Sequence, residues 1–126
     1  LGLEDRVIMP GAVYNVDEWL AKSTLFAFSS VSEGFPNVLV EAMSAGLPCV
    51  SFDCDAGPRD IINNGVNGFL IDKGNNQIFA EKVNLLLSNK DLIEELSLNA
   101  TKVNVIYSME KIGQKYLEFI INKDGK

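Results

Sequence analysis

The chain has 126 residues, which is enough for one compact domain with a buried core. Its composition is 47% hydrophobic and 22% charged, as in an ordinary globular protein. The net charge of −6 argues against a nucleic-acid binder and against a basic surface for anionic membranes. One nucleotide in a local pocket is still compatible with this charge, because backbone amides bind phosphate without net positive charge.

The first part of the chain predicts short strands and helices in alternation. Arg6–Met9 is an apolar run closed by the turn signal Pro10–Gly11. Val16–Lys22 is typical of a short amphipathic helix, in which Trp19 is interpreted as the anchor against the sheet. Thr24–Ser29 is a continuous apolar and aromatic run of strand length. Such runs indicate strands covered on both faces, and therefore a parallel sheet.

The middle of the chain repeats this order. A helix is predicted over Val38–Ala45, with Gly46 as its terminating glycine, and a buried strand over Cys49–Phe52. Pro58 fits the first turn of a further short helix, and the strand Phe69–Ile71 follows a run of turn residues. The alternation predicts an α/β fold with a doubly wound parallel sheet.

From Asn76 onward the pattern is helical, and the last predicted helix carries an apolar face of Ile112, Tyr116, Phe119 and Ile120. The tail from 122 to 126 is polar. No internal repeat or linker divides the sequence, so residues 1–126 are treated as one domain. Because Leu1 is not an initiator methionine, we expect the chain to be a piece of a longer protein.

The two cysteines are predicted to be buried, reduced thiols. Cys49 and Cys54 are separated by four residues in or beside an apolar run, and the chain contains no histidine, so a zinc site with four ligands is not indicated. Reduced cysteines and the lack of a recognisable signal peptide in this sequence favour a cytoplasmic protein.

Two loops are candidates for a ligand site, because ligands of open parallel sheets gather beyond the carboxyl ends of the strands. They are Ser30–Asn37 and Asp53–Arg59. In the first loop, Gly34 allows a ligand to approach the backbone and Pro36 can open the following helix. The first amides of that helix, at Asn37, Val38 and Leu39, are expected to be free to bind phosphate or sugar hydroxyls.

Glu33 and Glu41 bracket these amides, before the helix and about one turn inside it. Carboxylates at these positions could accept hydrogen bonds from both ends of a nucleotide sugar, whose phosphates lie in the middle. The spacing alone fits equally well a surface acid in a loop and a solvated acid on a helix. A glycosidase pair would need both carboxylates at a set separation across one bond, which a sequence does not establish.

The segment Glu33–Val50, with the sequence EGFPNVLVEAMSAGLPCV, closely resembles the E-x7-E signature of retaining GT-B glycosyltransferases of group 1, family 4. Residues 1–11 resemble the segment that precedes this signature in the family, and residues 57–70 resemble the segment that follows it. The resemblance implies a Rossmann-like C-terminal domain that binds a nucleotide-sugar donor. Transfer to an acceptor hydroxyl would retain the anomeric configuration and would use neither a metal nor another cofactor.

The resemblance also implies roles for individual residues. Glu33 takes the catalytic position and would contact hydroxyls of the donor sugar, while Glu41 would bind the ribose. The backbone between them would contact the sugar or the diphosphate. The implied donor-binding residues are Glu33, Gly34, Phe35, Pro36, Asn37, Val38, Leu39 and Glu41.

Parts of such an enzyme have no counterpart in this sequence. The acceptor-binding N-terminal domain and the upstream Arg and Lys pair of the family are missing, so the domain is expected to be incomplete at its N-terminal side and inactive alone. Any peripheral membrane association is expected only through the missing domain. The last helix would cross back onto that domain, which would leave part of its apolar face exposed here. UDP is the default nucleotide, and GDP stays open.

Three alternatives stay open. A GT-B nucleotide-sugar epimerase would share the fold, but enzymes of that kind use histidine, which this chain lacks. A phosphorylase would need a lysine for pyridoxal phosphate, and no lysine here lies in a suggestive motif. A non-catalytic flavodoxin-like or receiver-like interaction module would want an acidic cluster near its start in addition to Asp53.

Overall fold

The computed structural model describes residues 2–123, with side chains described through residue 121. The strands in this range form one parallel sheet in the order β1-β2-β3. They are β1 (Phe26–Phe28), β2 (Cys49–Asp53) and β3 (Gly68–Asp72). Phe28 lies opposite Ser51 and Asp53 lies opposite Asp72, so the carboxyl ends of the strands meet at one edge of the sheet.

Helices connect the strands and follow them. The helices of the described range are α1 (Val16–Ala21), α2 (Asn37–Ser44), α3 (Pro58–Ile61), α4 (Asn76–Ser88), α5 (Lys90–Ala100), α6 (Val103–Ile106) and α7 (Met109–Lys123). Helix α2 connects β1 to β2, and α3 connects β2 to β3. Each parallel pair is therefore joined by a helical crossover, as parallel pairing requires.

Both faces of the sheet are covered, and β2 contributes to both cores. Cys49 packs in one core with side chains of α2, α3 and α6, among them Met43 and Ile61. Val50 and Phe52 pack in the other core, with side chains from α4 and α5. Alternate residues of a strand point to opposite faces, so a strand covered on both sides is mostly apolar; β2 includes one buried polar residue, Ser51. This arrangement confirms the predicted doubly wound α/β fold.

The ends of α2 follow from its sequence. Pro36 is the N-cap, and Gly46 follows the helix at a φ of +83°. The amide of Gly46 donates to the carbonyl of Met43 at 3.0 Å, which satisfies one of the last carbonyls of the helix. Only glycine adopts this left-handed conformation without strain, so the predicted helix-ending role of Gly46 is confirmed.

Two local interpretations are wrong. Arg6–Met9 forms no strand, and the side chains of Ile8 and Met9 are 76% and 88% exposed. A strand needs a hydrogen-bonding neighbour, and none of the described strands pairs with this run. Trp19 is 40% exposed, and Leu20 is the residue of α1 that packs against the core.

Helix α7 carries the predicted amphipathic pattern but buries none of it. Every side chain from Met109 to Ile121 is exposed. The expected exposure of its apolar face is therefore observed, whereas docking of this helix on another domain stays a prediction. None of the helices described here combines the length and the apolar character that crossing a membrane requires.

Candidate functional site

The two loops proposed from the sequence touch each other. The first loop (residues 29–36) follows β1, and the second loop (residues 54–57) follows β2. Gly57 has a φ of +88°, and a Cβ atom there would lie 2.5 Å from Cδ of Pro36 and 2.9 Å from the carbonyl oxygen of Gly34. Position 57 therefore needs glycine both for its backbone conformation and for the close approach of the first loop.

A second contact joins the same loops. The thiol of Cys54 donates to the carbonyl oxygen of Ser30, with 3.6 Å between sulfur and oxygen. Cys54 is buried and, like Cys49, is a free thiol, as the sequence predicts. The thiol therefore ties the start of the first loop to the second loop from inside the fold.

The start of α2 leaves two backbone amides free. Among the described residues, neither the amide of Asn37 nor that of Val38 has a hydrogen-bond acceptor. The expectation that the Leu39 amide is also free is wrong, because it donates to the carbonyl of Pro36 at 3.0 Å. The side chain of Leu39 is fully buried, so this residue belongs to the core. An anion at the start of α2 would meet two free amides and the positive end of the helix dipole.

Glu33 and Glu41 lie on either side of these amides along the chain. Glu33 is partly buried in the first loop, and Glu41 is exposed in the second turn of α2. Neither carboxylate has a hydrogen bond or an ion pair within the described part of the chain. Both are therefore available as hydrogen-bond acceptors for a polar ligand.

Glu41 lines a groove of about 560 Å³ between α2 and the chain around α1. The wall on the side of α1 includes Tyr14, Asp17 and Leu20, and Ser44 lies on the side of α2. Tyr14 is fully exposed. The sequence did not indicate the part of the groove near α1, because the groove forms only where Leu20 places α1 beside α2. The signal that the sequence offers is the position of Tyr14 just before a predicted short helix.

Arg59 does not lie free at the site. Its Nε donates to Oδ1 of Asp53 at 2.9 Å, and Asp53 ends β2. This ion pair is exposed, so it contributes little to stability. It does hold the guanidinium at the carboxyl end of the sheet, where it neutralises one carboxylate.

Phe35 links the first loop to the segment that follows α6. Its ring makes an edge contact with Tyr107, with ring centroids 5.5 Å apart and an interplanar angle of 64°. The hydroxyl of Tyr107 donates to the carbonyl of Asp60 in α3 at 2.9 Å. Burial raises the pKa of Tyr107 above its usual value, and the negative charge of Asp60 raises it further. The sequence did not indicate a role for Tyr107, because nothing in the residues around it links Tyr107 to the first loop.

The fold and the site agree with one family. The family model described as glycosyl transferases group 1 matches residues 1–103. This match covers most of the chain, and the chain therefore belongs to the group 1 glycosyltransferases.

A curated relative supports this assignment. Lipopolysaccharide 1,6-galactosyltransferase of Salmonella typhimurium is 43% identical over 94 residues, which are 71% of this chain and 26% of that protein. An uncharacterized glycosyltransferase of Haemophilus influenzae is 30% identical over 116 residues, which are 92% of this chain and 33% of that protein. The chain thus spans about a third or less of the length of these relatives.

Solved structures show the same fold. HepE of Anabaena, in a complex with UDP-glucose, superposes with a TM-score of 0.87 and is 30% identical, over 97% of this chain and 34% of that chain. A TarM mutant of S. aureus, in a complex that includes UDP, gives a TM-score of 0.86 and 32% identity, over 92% of this chain and 24% of that chain. The fold is therefore that of a GT-B C-terminal domain.

Proposed function

We propose that this chain is the donor-binding part of a retaining glycosyltransferase that moves a sugar from a UDP-sugar to an acceptor hydroxyl. The observation that carries the proposal is the start of α2. There, the two free amides of Asn37 and Val38 lie between two carboxylates that have no partner in the described structure. This is the pattern of groups that a diphosphate with a hydroxylated ligand at each end would satisfy.

In this proposal the diphosphate lies at the start of α2. Free amides and the helix dipole stabilise negative charge there, and they gain importance as the leaving nucleotide takes up the charge of the broken bond. Gly34 leaves the backbone open to the ligand, since no atom lies within 4 Å of the position of a Cβ there. Helix α2 thus binds the group whose charge grows during transfer.

The carboxylates then bind neutral hydroxyls at the two ends of the donor. Glu41 accepts from the ribose, with the base in the adjoining groove between α1 and α2. Glu33 lies on the other side of the amides and accepts from the donor sugar, as the catalytic position of the signature. Neither role requires a metal ion, and we propose a metal-free site.

The comparisons support the choice of donor. HepE forms complexes with UDP and with UDP-glucose, and the TarM mutant forms a complex that includes UDP. The names of two relatives, lipopolysaccharide 1,6-galactosyltransferase and amylovoran biosynthesis glycosyltransferase of Erwinia amylovora, support a role in surface polysaccharide synthesis. We extend both properties to this chain as part of the proposal, together with a cytoplasmic location.

The proposal assigns acceptor binding to the remainder of a longer protein. The chain spans about a third or less of the length of its relatives. The free groups at the site are carboxylates and amides, and the cation beside it, Arg59, is paired with Asp53. We therefore expect no sugar transfer when the 126 residues are incubated with UDP-sugars and an acceptor. Labelled product in that assay would show that these residues are sufficient.

The direct test of the proposal is the affinity for UDP, measured by calorimetry. Glu41→Gln keeps the shape of the side chain but weakens its hydrogen bond to the ribose, so we expect roughly a tenfold or greater loss of affinity. Glu95→Gln is the matched control, because Glu95 is also an exposed helical glutamate and does not line the groove. Equal affinities for UDP in both variants would contradict the assigned role of Glu41.

A further inference from the structure

Tyr107 joins two parts of the fold that the candidate site depends on. It lies just after α6, outside the region that the family model matches. Its ring meets the ring of Phe35 in the first loop, and its hydroxyl is bonded to the carbonyl of Asp60 in α3. One side chain thus contacts the loop before α2 and the helix that follows the second loop.

The first loop has few hydrogen bonds near Phe35. Among the described residues, Glu33 and Phe35 make no hydrogen bond, and Phe35 is 49% exposed. The loop is also held by the contact of Cys54 with Ser30 and by the packing of Gly57 against Pro36 and the carbonyl of Gly34. The edge contact with Tyr107 adds a side-chain anchor at Phe35, directly after Glu33 and Gly34.

Tyr107 is itself held in place. Its amide donates to the carbonyl of Val103 at 2.9 Å, and Val103 is buried in the core beside α2. Asn104, in the same helix, donates to the carbonyl of Ser44 at the end of α2 at 3.3 Å. The ring that Phe35 meets is consequently anchored to the same helix whose start forms the candidate site.

We propose that Tyr107 is a positioning residue, whose ring holds Phe35 and thereby sets the place of Glu33 and of the free amides at the start of α2. The inference rests on the proposed donor site for its functional consequence. The hydroxyl has a separate part, since it fastens Tyr107 to α3. A tyrosine hydroxyl is protonated at neutral pH, so it can donate to the carbonyl of Asp60 there.

The test compares Tyr107→Leu with Tyr107→Phe in the 126-residue chain. The first variant removes the aromatic contact, and the second keeps the ring and removes only the hydroxyl. Without ligand, NMR order parameters of the amides from 32 to 35 should fall from the rigid range near 0.85 towards 0.6 in the leucine variant alone. The affinity for UDP should fall by about three- to tenfold in the leucine variant, as expected from loss of an aromatic pair. The phenylalanine variant should bind UDP as tightly as the wild type.

Tyr116→Leu is the matched control, because Tyr116 is an exposed tyrosine on α7 that does not contact the loop. Wild-type order parameters in Tyr107→Leu, or equal losses in both Tyr107 variants, would overturn the inference. Failure of the wild-type chain to bind UDP would instead count against the proposed donor site. The order parameters are measured without ligand, so the two failures are distinguishable.

Discussion

Individual acidic side chains differ in whether they have an ion-pair partner within the protein. Asp53 is paired with Arg59, and Glu18 and Glu94 each lie within 4.0 Å of a lysine one helical turn away. Glu33 and Glu41 have no such partner in the described structure. A carboxylate without a protein partner keeps its full capacity to accept hydrogen bonds. These two carboxylates are therefore available to a ligand, as are those of Asp55 after β2 and Asp72 at the end of β3, which also have no side-chain partner in the described structure.

Cys49 makes stability depend on alkaline pH. Burial raises the pKa of its thiol from 9.0 to about 12. Below pH 9 the thiol is neutral in both states, and its contribution to stability is fully present. Between pH 9 and 12 only the unfolded chain releases the proton, so the free energy of unfolding falls by up to about 1.4 kcal/mol per pH unit. Above the folded pKa this contribution is lost.

Urea unfolding at pH 8 and pH 10 measures this effect. Cys49→Ala removes the titrating group, so the variant should lose less stability between the two pH values than the wild type. The alanine variant will be less stable at pH 8, because it leaves a small cavity in the core. The quantity to compare is the change with pH within each protein. Identical changes would show that Cys49 does not contribute to the alkaline loss.

The starts of α2 and α3 are in contact, because Gly57 before α3 packs against Pro36 and Gly34 before α2. In Gly57→Ala, the new methyl group would overlap Pro36, the N-cap of α2, and the backbone of Gly34. We expect a loss of about 1–3 kcal/mol in the free energy of unfolding from this overlap, in addition to the strain of a positive φ. The displaced α2 junction should also weaken UDP binding.

Gly74→Ala is the matched control for that variant. Gly74 has a φ of +84°, close to that of Gly57, but no atom lies within 4 Å of the position of its Cβ. It should therefore lose only the conformational part, about 1 kcal/mol, and should bind UDP like the wild type. Chemical denaturation and calorimetry of both variants separate the two contributions. Equal stability losses would mean that the loops do not need their close contact.

Element by element, the sequence predicted well what depends on local pattern. The strands β1 to β3 are short and mostly apolar, and α2 lies between a proline and a glycine whose backbone preferences set its ends. The candidate loops could also be placed, because they must follow parallel strands. These features require no knowledge of which distant residues meet.

The features that the sequence did not reveal depend on contacts between residues that are distant along the chain. Arg6–Met9 has the composition of a strand, yet pairing needs a neighbouring strand, and no described strand supplies one. The free Leu39 amide was wrongly expected because the first turn of α2 tightens onto Pro36. Tyr107 and the wall of Tyr14 reach the site only through tertiary packing. Family resemblance supplied the roles of Glu33 and Glu41, which spacing alone left open.

At the scale of the whole molecule, exposed apolar side chains lie both at the candidate site, as Phe35 and Tyr14 do, and away from it. The two cores enclose the sheet, while Ile8, Met9 and the apolar face of α7 remain exposed. The proposed assignment of acceptor binding to the rest of a longer protein gives these surfaces a natural use. In the proposal, donor binding instead uses the amides and carboxylates at the start of α2.

The most direct measurement of the central claim is an amide NMR titration of the chain with UDP, alongside GDP and ADP. We expect saturable shifts clustered between Gly34 and Glu41 and along the groove at Tyr14, strongest with UDP and greatly reduced in Glu41→Gln. A folded wild-type spectrum that shows no shifts in this cluster, or shifts confined to another part of the surface, would contradict the donor site proposed here.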